Sequence, residues 1–584
     1  MLHIARATRG GAAAAARLQQ QHGAAAAIGG ARAASTKLGS AGDGIKPGTA
    51  ERPWYVQPAD TNVNPKQTDA VALSSGTSGR SVEFNRPKAL NALNLEMIDA
   101  LTPMAQNWEL FRAQAADRLS AKLPGNQVLG ADPDGNLSHK GEHRMGMADD
   151  RAVESYATVV DAAPVGVVFH GAGGKAFCAG GDILALYHNG RSPHKRHKAV
   201  EFFAREYRLN HVLGTTDTPV ISVLNGITMG GGVGLSVHGQ VRVATEKTLF
   251  AMPETGIGFF PDVGGGYFLP RLAHPGLGMY LALTGARLRG AEALAAGVAT
   301  RYMPVERLSA LCSAVRNELP RGVAGSRDAS RKAVDHLLDD FCEVPPPEAA
   351  ATLTDRLAAI DRCFGDDAAS VEDCVGRLAR EAAGAPSGSA ADADWARATL
   401  GMLARASPQA LKVTFEQLRR GGGRHGGSDG ADLGSVLKME FRVAARFMEA
   451  ELGSDFFEGV RALLVDKDNA PKWKHAPDSL RALAAADAEP AALAAGLEDT
   501  LARVSAEEVA TFFSPLSERA DAEVHSAELE LLRPTLAKEY GQRIHMTMAQ
   551  LQEECRKRKL DVQGNTAELL QRLEENDKQK AAAK

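Results

Sequence analysis

Two carboxylates, Glu254 and Asp262, stand in the run Phe250-Ala-Met-Pro-Glu-Thr-Gly-Ile-Gly-Phe-Phe-Pro-Asp-Val-Gly-Gly-Gly-Tyr-Phe-Leu-Pro-Arg271, where most neighbours are apolar or glycine. Carboxylates so placed are poorly solvated and costly unless they are used or paired. They could serve as nucleophile, general base or hydroxyl acceptor; the alternative is that both cap turns. Upstream lie two glycine-rich stretches, Gly171-Ala-Gly-Gly-Lys-Ala-Phe-Cys-Ala-Gly-Gly-Asp182 and Asn225-Gly-Ile-Thr-Met-Gly-Gly-Gly-Val-Gly234. Amides exposed at such turns, reinforced by a helix dipole, can donate to a phosphate or to an oxyanion. Phosphate is the weaker option, because the GxxxxGK[ST] pattern is absent and no first strand opens on GxGxxG.

Other chemistry-bearing residues carry less. His139, Glu142 and His143 spell HxxEH, which binds zinc when both histidines share a helix face. Gly141 within it and the flanking Pro124-Gly125 and Asp132-Pro-Asp-Gly135 disfavour that helix, so a solvated loop is expected. The six cysteines are scattered without a CxxC, which fits neither a zinc site nor a secreted disulfide framework.

The chemistry needs elements to hold it. Val165-Gly-Val-Val-Phe169 and Pro219-Val-Ile-Ser-Val-Leu224 are the β-branched runs that fill buried strands, and each feeds a glycine-rich turn that opens a helix. An earlier strand, Ser81-Val-Glu-Phe-Asn-Arg-Pro87, ends at the proline and leads to a helix through Leu93 and Met97. Residues 115–153 are polar and rich in turn signals, as expected of an inserted loop.

Taken together, these segments resemble the crotonase (enoyl-CoA hydratase/isomerase) superfamily. The likeness runs from Ser81, resumes near Ala152, and continues through Leu283-Thr-Gly-Ala-Arg-Leu288, Ser407-Pro-Gln-Ala-Leu-Lys412 and the run from Asp455 to Trp473. It implies an α/β fold, a spiral of ββα turns with a helical C-terminal part, binding acyl-CoA thioesters over residues 70–475. By position it implies that the amides of Gly181 and Gly231 form the oxyanion hole. Gly180, Asp182, Gly230, Gly234 and Leu90 would line the substrate; Arg86 and Lys88 are phosphate contacts or solvated surface cations. Hydratases of the superfamily carry a glutamate at position 234. Glycine there, with Glu254 kept and Asp262 in place of a usual glycine, matches the hydrolase branch, which cleaves short 3-hydroxyacyl-CoA thioesters such as 3-hydroxyisobutyryl-CoA in valine catabolism. Glu254 would then be nucleophile or general base, and Asp262 would orient the 3-hydroxyl. No metal and no cofactor beyond the CoA of the substrate is implied. An enoyl-CoA hydratase or isomerase is a further reading, disfavoured by Gly234.

The ends differ from this body. The first 42 residues carry arginine and lysine but no acid, are rich in alanine, and look like a mitochondrial transit segment, which points to the matrix; a tail without an address is the alternative. Residues 476–540 read as an alanine-rich helical linker. In 541–575, Leu551, Cys555 and Leu560 precede Gly564, and Leu569, Leu570 and Leu573 come after it, giving two short amphipathic helices. This resembles a SAP module, departing from it at Thr566, and implies weak, salt-sensitive DNA or RNA contact through 548–573; the alternative is a hairpin for protein docking. Association with the mitochondrial small ribosomal subunit, as a hydrolase-like structural protein, is the second function class. A net charge of −4 over 584 residues excludes a wholly basic nucleic-acid protein, and no apolar run is long enough to cross a membrane.

Overall fold

The computed structural model describes residues 68–120, 130–131, 137–138, 163–192, 194–384, 388–422, 431–449, 454–485, 488–516, 555–558, 560, 572–573 and 576. The leader, the HxxEH run and most of the insert and tail lie outside these residues.

Two sheets carry the site. The larger takes β1 (Val71–Ser75), β2 (Gly79–Phe84), β3 (Gly166–Gly171), β5 (Val220–Leu224), β7 (Val241–Ala244) and β10 (Arg301–Tyr302) in that spatial order. The smaller runs β9 (Leu288–Arg289), β8 (Leu249–Ala251), β6 (Ile227–Met229), β4 (Ala176–Cys178). The chain therefore lays one strand in the large sheet, then one in the small sheet, then a helix, and repeats. β3 and β4 lead to α2 (Ile183–Gly190) and α3 (Arg196–Thr215); β5 and β6 lead to α4 (Gly231–Gly234); β7 and β8 lead to a 3₁₀ turn at Glu254–Ile257.

Strands β4, β6 and β8 are parallel neighbours, with Cys178 opposite Thr228 and Ala251 opposite Met229. Parallel neighbours stand about 4.8 Å apart, so the segments leaving the three strands emerge at one edge. These segments bring Gly180 and Gly181, then Gly230 and Gly231, then Glu254 to that edge. The large sheet is filled by Val167, Val168, Phe169, Ile221 and Val223, all fully buried, as the continuous apolar runs of a sheet covered on both faces require.

Three boundaries differ from expectation. Helix α1 (Leu95–Ser120) continues past Ala115 into the predicted insert, and two-residue strands at Gly130–Ala131 and Leu137–Ser138 pair within it. The predicted linker is, as far as Leu516, part of the packed body. Helices α8 (Asp478–Ala485) and α9 (Pro490–Ala502) bury Leu480, Leu493, Leu497 and Leu501 in one apolar cluster with Leu378 and Leu400. Helix α10 (Ala506–Phe513) puts Phe512 against Phe447, their centroids 4.6 Å apart. Alanine-rich composition reads as linker when its leucines are few, yet each of these leucines faces inward.

Candidate functional site

The first glycine turn is held by the segment before α1. Leu93 donates to Gly180 O at 2.8 Å and accepts from Asp182 N at 2.9 Å. In a parallel bridge of this kind the intervening residue, Gly181, turns its own amide to the opposite side. Gly231 heads α4, where an amide has no carbonyl one turn back to bond. The two glycines face each other: a methyl group added to Gly231 would lie 3.3 Å from Gly181 N. Gly180 and Gly230 take φ of 114° and 45°, which only glycine adopts without strain.

Glu254 closes the third side. Its Oε1 lies 3.1 Å from where a Gly230 methyl would be, itself 3.5 Å from Gly180 Cα. Glu254 is 7% exposed and Asp262 6%. Burial, then the neighbouring Asp262 charge, holds the Glu254 carboxyl well above its ordinary range, and its Oε2 has no hydrogen-bond partner among the described residues. Burial lifts Asp262 to about 7, opposed by the bond that Tyr207 Oη donates to its Oδ2 at 2.9 Å.

A third acid, not anticipated from sequence, completes the group. Glu206 on α3 is 2% exposed, and its Oε1 sits 2.5 Å from the position of a Gly231 methyl. Burial raises its pKa strongly, and the charges of Asp262 and Glu254 add to that. Three carboxyls this close share protons, because like charges in a poorly solvated space cannot all be ionised. The available signal was the interruption of an apolar helix face, Ala199, Val200, Phe203 and Tyr207, by Glu206 and Asn210, one turn apart on the same side.

The loop that carries Asp262 is strained and pinned. Val263 has φ of 51°, a genuine outlier for a β-branched residue. His238 Nε2 donates to Val263 O at 2.7 Å, and burial lowers that imidazole to about 4, which keeps it neutral. Glu440, on α6 (Leu433–Phe447), accepts from Gly264 N at 2.6 Å and Gly266 N at 2.8 Å. Gln417, on α5 (Pro408–Gly422), donates to Pro261 O at 2.7 Å and to Glu440 at 2.8 Å. Backbone groups of this loop are thus met by side chains from distant helices. Glu440→Gln would set an amide donor against one of those N–H groups; kcat should fall about tenfold to a hundredfold, with KM changed far less and stability lower by about 1–3 kcal/mol. Steady-state kinetics with a thermal melt checks both.

The Glu254 turn is strapped from behind. Ser407 N donates to Thr255 O at 3.1 Å, Ser407 Oγ to Asp455 Oδ2 at 2.6 Å, and Lys474 N to Asp455 Oδ1 at 2.8 Å. Gly459, in α7 (Asp455–Val460), packs so closely on Ile257 that a methyl there would be 2.3 Å from its carbonyl oxygen.

Other residues expected at the site have varied surroundings. Asp182 turns its carboxylate to cap α2, accepting from Ala185 N at 3.3 Å, and pairs with Arg86 at 3.4 Å. Its side chain and that of Arg86 are therefore committed to structure rather than turned to a ligand. Leu90 is half-buried with its amide bonded to Pro87 O, so only its side chain remains for contact. Cys178 is fully buried and its thiol is pushed up to about 12, as befits packing rather than nucleophilic chemistry. Gly234 faces Asn210 and Val263; a methyl there would lie 2.8 Å from Asn210 Nδ2 and 2.7 Å from Val263 Cβ.

This arrangement can polarise a carbonyl with two amides and attack or hydrate its carbon with a carboxylate. Comparison with known proteins agrees with it. The profile of the enoyl-CoA hydratase/isomerase family matches residues 150–489, and that of the SAP domain matches residues 545–578. The mitochondrial 3-hydroxyisobutyryl-CoA hydrolase of Danio rerio is 40% identical over 395 residues, covering 67% of this chain and 82% of that protein. The Homo sapiens protein of that name is 36% identical over 416 residues, 70% and 86% of the two chains. The small ribosomal subunit protein mS47 of Neurospora crassa is 37% identical over 415 residues, 70% and 68% of the two. Among solved structures, a carnitinyl-CoA dehydratase from Mycobacterium thermoresistibile superposes with a TM-score of 0.53 at 29% identity, covering 78% of this chain and 99% of its own.

Proposed function

The chain belongs to the enoyl-CoA hydratase/isomerase family, and from that premise we propose that it hydrolyses the thioester of 3-hydroxyisobutyryl-CoA to 3-hydroxyisobutyrate and CoA, a step of valine catabolism in the mitochondrial matrix. The observation that carries this reading is the convergence of Gly181, Gly231 and Glu254 at one edge of three parallel strands. The amides of Gly181 and Gly231 hold the carbonyl oxygen as negative charge gathers on it, each donor worth about 10²- to 10³-fold in rate. Glu254 attacks the carbonyl carbon, expelling the CoA sulfur and leaving an anhydride for water to cleave, or it takes a proton from water that attacks directly. Single turnover in labelled water separates these, since only the anhydride route places the label in Glu254. Asp262, fixed by Tyr207, accepts the hydrogen of the 3-hydroxyl. CoA enters as part of the substrate, and no other cofactor is required by this route.

Cleavage of a small acyl-CoA panel by the purified protein tests the reading: release of CoA from the 3-hydroxyacyl esters supports it, and hydration of crotonyl-CoA without release supports the hydratase reading. Gly234 separates the two chemically. A glutamate there would collide with Asn210 and Val263, so Gly234→Glu should lose more than about a hundredfold in hydrolysis and gain no hydration, measured on the same panel.

A second reading is favoured by the ribosomal relative and the SAP match. Residues 548–573 would give weak DNA or RNA contact, and the protein would sit on the mitochondrial small ribosomal subunit. Comigration with that subunit in a sedimentation gradient supports it, and a free pool with hydrolase activity supports the enzyme alone.

A further inference from the structure

The thioester chemistry leaves one polar side chain in the walls of the site unused. Asn210 is wholly buried, and neither its Oδ1 nor its Nδ2 has a hydrogen-bond partner among the described residues. Leaving a buried polar group unpaired costs free energy, so such amides in folded chains are nearly always satisfied by something.

The surroundings say by what. Asn210 lies one turn of α3 beyond Glu206, and Tyr207 on the same helix holds Asp262. Its Nδ2 lies beside Gly234, in the space that a side chain at that position would take, and Val263, the residue after Asp262, forms the other wall. The volume freed by the absence of a side chain at 234 is therefore edged by an amide that can donate and accept, close to a carboxylate that can accept. The carbonyl oxygen of the thioester is already provided for at Gly181 and Gly231. What this corner lacks is a small group that accepts one hydrogen bond and donates another.

We propose that Asn210 reads the 3-hydroxyl of the acyl chain, Nδ2 donating to the hydroxyl oxygen while the hydroxyl hydrogen is donated to Asp262. This rests on the thioester hydrolase reading and extends it to substrate choice. Asn210 is then a specificity-determining residue, and the bare Gly234 is what lets the hydroxyl reach it.

The test compares kcat/KM for 3-hydroxyisobutyryl-CoA and isobutyryl-CoA, which share a carbon skeleton and differ in the hydroxyl. The wild-type protein should prefer the hydroxylated ester by about a hundredfold or more, because a site built around a hydroxyl leaves its own polar groups unpaired without one. Asn210→Ala should shrink that preference by about tenfold or more, and Asn210→Ser, which keeps a short donor, should shrink it less. A wild-type ratio near one, or variants that lose equally on both esters, overturns the proposal while hydrolysis itself stands. Should the alanine variant fail to fold, the serine variant and the wild-type ratio still decide. A wild-type protein that cleaves neither ester removes the premise instead.

Discussion

Glu254→Gln should lower turnover of 3-hydroxyisobutyryl-CoA by about 10³-fold or more while the ester still binds, and should make the protein more stable at about pH 8. The first effect arises because an amide neither attacks a carbonyl nor takes a proton from water. The second arises from burial. The folded-state pKa of Glu254 lies above its unfolded value, so between the two the folded chain keeps a proton that the unfolded chain has released. Stability from this group is greatest below the ordinary carboxylate range, falls as pH rises through that window, and stays low above it. A neutral glutamine has no such dependence. Kinetics, binding of the intact ester and melts at about pH 4 and about pH 8 read all of this; full turnover, or a melt at the higher pH below that of the wild type, would contradict the role. In the wild type the same elevation moves the acid limb of the rate profile upward, since the reacting form is the ionised one.

The second large effect is steric. In Gly231→Ala the methyl would stand 2.5 Å from Glu206 Oε1, 3.3 Å from Gly181 N and 3.4 Å from Leu93 Cδ2, inside the place of the thioester oxygen. A loss of about 10²- to 10³-fold in kcat is expected, the worth of an oxyanion donor. Gly181 supplies the control. A methyl there meets only the Phe202 ring, at 3.4 Å, so Gly181→Ala should lose less than about tenfold, its amide still being in place. Equal losses in the two variants would show that the two amides do not converge on one oxygen.

How much of this could be read from residues alone depends on distance along the chain. The runs at Val165–Phe169 and Pro219–Leu224 announced their strands because a fully buried strand is apolar at every position. The three strands of the small sheet that lead to the site, each only three residues long, are too short to show a period, and yet it is they that bring the turns together. Glu254 and Asp262 stood out because charge among glycines and phenylalanines is costly. Glu206 and Asn210 did not, since a single acid or amide on a helix reads as its solvated side. Glu440, Gln417 and Asp455 lay furthest from view. Each acts on a loop far away in sequence, and nothing local to them hints at which backbone groups they satisfy. Asp182 shows the converse: its place next to Gly181 suggested contact with substrate, whereas the start of α2 claimed its carboxylate as a cap.

The strap formed by Ser407, Asp455 and Lys474 bears on when the protein becomes active during synthesis. Glu254 emerges near the middle of translation, but the hydrogen bonds that fix the turn behind it need residues made far later. A nascent polypeptide halted before those residues carries every reacting group and lacks the brace that aims one of them. Competence is thus tied to completion, and fragments released early would be inert toward the CoA pool.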